Sequence, residues 1–264
     1  MIKSFYLSHG APPMLEEEIP FVQQLHQLRK QLIDDSIDLI IVASPHWITH
    51  NQLLVHTADQ PNCIQDYYGF PDRFYDYTYQ VSGAPEFARA LIKAGKAANI
   101  PVEDTTSWGL DHGAWVPLHI MFPEKQIPVL PISSGDGISA QQHYRWGEII
   151  RETAQAEQYD VLFLGTGSTV HRLDQIRWQQ DNTKMFPPGK SFDEKLIQLL
   201  IDNSISEVLH IEKTYPDLYQ NAAPEGDLKS LYIALGVAGS DANPTVLSHQ
   251  GWHYGVSLLA VELA

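Results

Sequence analysis

Four short segments carry the histidines whose types and spacing could do chemistry: Ser8-His9-Gly10, Ser44-Pro45-His46-Trp47, Asp111-His112-Gly113-Ala114-Trp115 and Gly165-Thr166-Gly167-Ser168-Thr169-Val170-His171. Imidazole is the commonest protein ligand for metals and titrates nearest to neutral pH, so several of them converging would suit metal-dependent catalysis. His9 and His46 each follow an apolar run, Phe5-Tyr6-Leu7 and Leu39-Ile40-Ile41-Val42-Ala43. A side chain just past a buried strand is delivered to the carboxyl edge of a sheet, where open α/β folds hold their sites. Taken singly, each could cap a turn by hydrogen bonding. In matching positions after consecutive strands, the pair reads as metal ligands.

Two histidines need a third group, and a carboxylate would complete the facial triad that holds Fe(II) with positions left open. Glu225 and Asp227, in Ala223-Pro224-Glu225-Gly226-Asp227, are the candidates. An acid placed there also has a plain structural use, because it caps the following helix and complements its dipole. His171 follows a glycine-rich turn and suits a general acid/base. That turn is not a phosphate loop, since it lacks the Lys-Ser/Thr ending. His112 suits substrate binding or support of a ligand, and equally a polar turn. His249 and His253 could line the site from a late turn, while the other histidines carry no motif. Cys63, the only cysteine, has no base beside it and is not read as a nucleophile.

The elements that must position these residues follow from apolar patterning. Ile2–Leu7 reads as a strand, Phe21–Leu32 as an amphipathic helix, and Asp38–Ser44 as a buried strand, which together suggest a parallel βαβ unit. Further helices are expected over Pro85–Lys96, Gln141–Gln155, Phe192–Ile201 and Asp227–Val237, and further strands over Ile127–Ile132, Asp160–Leu164 and Val256–Leu263. His50 and His56 flank an expected edge strand. The aromatic stretch His56–Tyr79 reads as a long ordered loop, either a lid or an aromatic cluster packed on the sheet. The class is α/β, with residues 1–264 as a single domain because no linker or composition break divides the chain.

Composition excludes several functions. With Lys+Arg 17 against Asp+Glu 32, the net charge of -15 disfavours nucleic acid as a partner. One cysteine permits neither an internal disulfide nor a multi-cysteine metal site, which suits a cytoplasmic location. No apolar run approaches the roughly 18 residues of a membrane span, so no membrane association is expected. Oligomeric state is not readable.

In order along the chain, Ser8-His9-Gly10-Ala11-Pro12, Ser44-Pro45-His46-Trp47, Tyr68-Gly69-Phe70-Pro71, Trp108-Gly109-Leu110-Asp111-His112-Gly113-Ala114-Trp115, Gly165-Thr166-Gly167, His171-Arg172-Leu173 and Leu231-Tyr232-Ile233-Ala234-Leu235-Gly236 form a familiar set. The chain resembles the class III extradiol ring-cleavage dioxygenases, the superfamily of the protocatechuate 4,5-dioxygenase catalytic subunit, and within it the 4,5-DOPA extradiol dioxygenase-like branch. The resemblance implies a central mixed, partly parallel sheet flanked by helices. It implies His9 and His46 as metal ligands, His171 as the acid/base and His112 as a pocket histidine meeting substrate or dioxygen. It also implies Tyr68, Phe70 and Trp108 as walls of an aromatic pocket. That branch usually carries a histidine where this chain reads Pro224-Glu225-Gly226-Asp227. With one residue inserted, Asp227 takes its place as third ligand, and Glu225 is the competitor. The implied cofactor is Fe(II), with Zn(II) able to occupy the same donors. The implied substrates are a small aromatic diol and O2. Two other classes suit the same residues: a zinc hydrolase activating water, and a non-enzymatic binding protein similar to the Memo family.

Overall fold

The computed structural model describes residues 1–32, 36–176 and 187–264. Among these residues the elements run β1 (Ile2–Leu7), α1 (Pro20–Leu32), β2 (Leu39–His50), β3 (Leu53–His56), α2 (Pro85–Ala97), β4 (Val102–Thr105), α3 (His112–Met121), β5 (Val129–Asp136), α4 (Ala140–Ala156) and β6 (Val161–Thr166). Then follow α5 (Pro187–Ile201), the short helices α6 (Ile205–Val208), α7 (Ile211–Thr214) and α8 (Pro216–Ala222), α9 (Lys229–Ala238), β7 (Thr245–His253) and β8 (Val256–Glu262). The strands form one mixed sheet in the order β4-β3-β5-β2-β6-β1-β8-β7. Its centre, β5-β2-β6-β1, is parallel throughout, and β8 runs antiparallel to β1.

Alternation of side chains along each strand divides the core between two faces. Tyr6, Ile41, Phe163 and Val261 pack on one side with residues of α2, α4, α5 and α9. Phe5, Leu7, Val42, Leu162 and Leu164 pack on the other with α1 and α3. The expected α/β class and mixed sheet are those observed. Among the described residues, no helix is long and apolar enough to cross a membrane.

Three local differences from the sequence reading matter for the site. β2 does not stop at Ser44 but continues to His50. Its pairing with β6 ends at Ala43, and its pairing with β5 breaks after Ala43 and resumes at Ile48. Pro45, which has no N–H to give a ladder, sits in that break. The result is a bulge that turns His46 out of the strand's regular alternation. The expected helix from Asp227 begins instead at Lys229, after a 3-10 turn over Glu225–Leu228. Gly226, Asp227 and Leu228 in that turn all have positive φ, which no apolar spacing could announce. Finally, β3 is internal, lying between β4 and β5, so β4 is the edge.

Candidate active site

The exits of the parallel strands set the frame. Leu7 is level with Thr166 and Ala43 with Gly165, so β1, β6 and β2 release their chains at one edge of the sheet. His9 follows β1, whose end is locked to β8 by Ser8: its hydroxyl donates to Ser257 O at 2.9 Å and accepts from Leu259 N–H at 3.0 Å. His46 stands in the β2 bulge, its backbone N–H donating to Ser44 Oγ at 3.2 Å. Ser44 in turn donates to Asp111. Asp111 is the N-cap of α3, accepting from Ala114 N–H at 3.2 Å, and also takes the Trp108 indole N–H at 3.2 Å. This chain of bonds ties β2 to the start of α3 and brings His112 beside His46, ring centroids 4.2 Å apart.

The Glu225 carboxylate lies at the centre. Its Oε2 is 3.0 Å from His9 Nε2, and its Oε1 is 3.1 Å from His46 Nε2 and 3.6 Å from His171 Nε2. The turn bearing it is anchored to the β6 exit twice: Glu225 N–H donates to Ser168 O and Ser168 N–H donates to Glu225 Oε2, each at 2.9 Å. The side chain is 9% exposed. Burial opposes its charge, but the His9, His46 and His171 rings outweigh that and hold its carboxyl well below the usual carboxylate range.

Three of these imidazoles, those of His9, His46 and His112, have their far edges pinned. His9 Nδ1 lies 2.6 Å from Gly10 O, His46 Nδ1 2.6 Å from Asp66 Oδ2, and His112 Nδ1 2.8 Å from Asp66 Oδ1. A carbonyl or carboxylate can only accept, so each Nδ1 carries a proton and each Nε2 faces inward; the Nε2 atoms of His9 and His46 in turn donate to Glu225, and a bound metal would take the place of those protons. This is the usual arrangement of metal-ligating histidines, whose outer N–H is held by a carbonyl or carboxylate. The rings of His9, His46 and His112 each offer a ligand atom, all within 4.8 Å of one another. His46, Asp66 and Asp111 form a second such group. We favour the imidazole set with Glu225, because Asp66 and Asp111 already spend their oxygens on His46, His112, Ser44 and Trp108. The donors therefore fit a divalent metal of the Fe(II) or Zn(II) kind. Burial lowers the affinity of His46 for a proton, yet Asp66 and Glu225 overcome it and raise its pKa to about 10. Burial dominates at His112 and lowers its pKa, with Asp66 opposing.

Asp227, expected as third ligand, lies outside the cluster of His9, His46 and His112. Its carboxylate accepts from Lys229 Nζ at 2.7 Å and from Tyr219 OH at 3.5 Å, and its side chain is 64% exposed. Glu225, the competing acid, is the one that meets the histidines, because the left-handed turn through Gly226 and Asp227 sends successive side chains to different sides. Tyr68 is likewise displaced from its expected role: it is 91% exposed, while its neighbour Tyr67 is buried with its ring edge-on to His112, centroids 5.5 Å apart. Phe70 packs against Tyr67, and Trp108 stacks on Trp47. His249 pairs with buried Asp193, and His253 with Glu17, each at 2.9 Å. Sequence reasoning missed Asp66 and Tyr67. The only signal was their position inside the aromatic stretch, next to Tyr68-Gly69-Phe70-Pro71.

Comparison with known proteins bears on this geometry. The family described as the catalytic LigB subunit of aromatic ring-opening dioxygenase matches residues 3–263. A protein named 4,5-DOPA dioxygenase extradiol from Beta vulgaris is 31% identical over 258 residues, covering 96% of this chain and 93% of its own length. One of the same name from Escherichia coli K12 is 30% identical, covering 98% of this chain and 94% of its own length. The crystal structure of an uncharacterised Escherichia coli K12 protein superposes with a TM-score of 0.79 over 100% of both chains at 23% identity, a likeness of fold. Matched from one end to the other by family and relatives, the chain belongs to the LigB family of aromatic ring-opening dioxygenases, and so to the extradiol ring-cleaving oxidoreductases.

Proposed function

We propose that the protein opens the ring of a catecholic substrate beside its two hydroxyls, with His9, His46 and Glu225 holding Fe(II). The observation that carries this reading is the convergence of the His9 and His46 Nε2 atoms on one buried carboxylate, with both Nδ1 edges fixed from behind. When bound, the metal would supply chelation of the diol and the redox chemistry of dioxygen. The chain's own residues do the rest. Holding both reactants in one geometry removes much of the entropic barrier. His171, about one-third exposed and 3.6 Å from Glu225, is placed to accept a phenolic proton and return it later. His112, with Nε2 inward, is an acceptor for a hydroxyl or oxygen-borne proton. Tyr67 supplies the aromatic wall beside His112, with Phe70 packed against it, while Trp108 is held by Asp111 and Trp47; Tyr68 is left exposed. The relatives' names make DOPA the first catechol to test.

The test is anaerobic Fe(II) reconstitution followed by a catechol panel, recording oxygen uptake and absorbance. Uptake with a new yellow product, abolished in His46→Ala and cut about 10²–10⁴-fold in His171→Ala, is expected. The third imidazole, His112, is the feature a zinc hydrolase would use. Hydrolysis of an ester or amide without oxygen, and no uptake with any catechol at full metal occupancy, would replace the dioxygenase reading with that one.

A further inference from the structure

One carboxylate, Asp66, holds two imidazoles that come from different elements. Its Oδ2 faces His46 Nδ1 at 2.6 Å; its Oδ1 faces both His112 Nδ1 and the His112 backbone N–H at 2.8 Å. The side chain is 16% exposed, and the next residue, Tyr67, lays its ring edge-on to His112. A carboxylate offers about four lone-pair sites and no proton, so three donors exhaust most of what it has and all three must be N–H groups. Neither imidazole can turn an unprotonated nitrogen toward Asp66 without setting two lone pairs against each other.

We propose that Asp66 is a positioning residue that keeps Nδ1 of both His46 and His112 protonated, so that both Nε2 atoms point at the centre, that of His46 to exchange its proton on Glu225 for a metal and that of His112 as a lone pair. The proposal rests on the reading of His46 as a metal ligand for its first half only. For His46 the consequence is a ligand atom already aimed at the metal. For His112 it is a chemical role: the ring enters the reaction as a proton acceptor and not as a donor. The loop that brings Asp66, part of the aromatic stretch His56–Tyr79, thereby becomes a working wall of the site and not only packing. The sheet edge alone could not do this, because His46 lies on β2 and His112 opens α3, and nothing in β-sheet register relates the two rings.

Asp66→Asn separates this role from simple packing. The amide keeps the shape and one acceptor, but its NH2 must face one of the two Nδ1 atoms and demands a lone pair there. That ring then moves to the Nε2–H form and withdraws its lone pair from the centre. Two measurements read the outcome without catalysis: ring 15N shifts of His112 in the metal-free protein, and Zn(II) affinity measured by competition with a chromophoric chelator. Wild-type His112 is expected as Nδ1–H. In Asp66→Asn its Nε2–H form is expected to appear, or Zn(II) affinity to fall by roughly 10–100-fold, the usual cost of losing an outer partner, according to which ring the amide faces. Asp66→Ala, which leaves both rings unheld, should lose no more affinity than Asn. Wild-type His112 found as Nε2–H overturns the proposal with no variant needed. So does Asp66→Asn with unchanged tautomer and unchanged affinity. Expected tautomers in a wild type that binds no Zn(II) would instead overturn the metal reading and leave the His112 assignment standing.

Discussion

A carboxylate buried to the extent of Glu225 is tolerable only when charge and hydrogen bonds replace the water it has lost. Here two imidazoles and the Ser168 N–H do so, and a metal would do so more strongly. Asp227 has the opposite surroundings: exposed, and already neutralised by Lys229, which also meets Asp136 at 3.0 Å. The two acids are therefore expected to differ sharply on substitution. Glu225→Ala should lose Fe(II) or Zn(II) affinity by more than the roughly 100-fold that an outer partner is worth. Asp227→Ala should keep it within a few-fold, because Lys229 retains Asp136. Metal content after reconstitution and gel filtration checks both, and retention of metal by Glu225→Ala would move the third ligand elsewhere. The sequence narrowed the ligand to these two acids and could go no further. Which of two residues faces inward depends on a run of left-handed backbone at Gly226, Asp227 and Leu228, and glycine was the only written sign of it.

At the scale of elements, the site depends on where α9 lies, since the turn carrying Glu225 leads straight into it. That helix is set against α4 through glycines on both sides. A methyl at Gly236 would lie 1.9 Å from Tyr144 O, and one at Gly147 would lie 2.1 Å from Ile233 O. Alanine at Gly236 gains about 1 kcal/mol of helix propensity. It must also push two backbones apart in a packed interior, where overpacking costs about 1–3 kcal/mol, and contact this close to a carbonyl favours the upper end. Gly236→Ala is thus expected to lower stability by about 1–2 kcal/mol net, read as a lower urea midpoint at unchanged slope, and to weaken metal binding by shifting the Glu225 turn. An unchanged midpoint would mean that the helices separate freely. The parallel centre of the sheet was legible because strands buried on both faces are written as unbroken apolar runs. β7 was not, since it pairs only with β8, is interrupted by two register shifts, and shows little alternation in burial. The run of β2 past Pro45 was hidden for a related reason: its second half bonds only to β5, with polar residues between.

Taken as a whole molecule, the site gathers residues from nearly the full length of the chain: His9 after the first strand, His46 on the second, His171 after the sixth and Glu225 before the last long helix. No two of them are near enough in sequence to form a site in the unfolded chain. Their order along the chain was legible because strand exits in a parallel sheet share an edge; their mutual distances were not, since these depend on the β2 bulge and the Asp66 loop. Metal affinity that exists only in the folded state is stability of the whole fold. At free metal 100-fold above the dissociation constant, the gain is about 2.7 kcal/mol. For a domain of this size that corresponds to roughly 5–10 °C in melting temperature. Zn(II)-loaded wild type is therefore expected to melt higher by this amount than the same protein treated with chelator. The shift should vanish in Glu225→Ala and persist in Asp227→Ala, under one protein concentration and one buffer. A chelator-insensitive wild type would mean either that the folded chain gains nothing from the metal or that the metal binds the unfolded chain equally well. The twelve histidines give the unfolded chain donors of its own, so Zn(II) binding to the urea-unfolded protein decides between them: with none there, a chelator-insensitive wild type would count directly against a metal centre at this edge of the sheet.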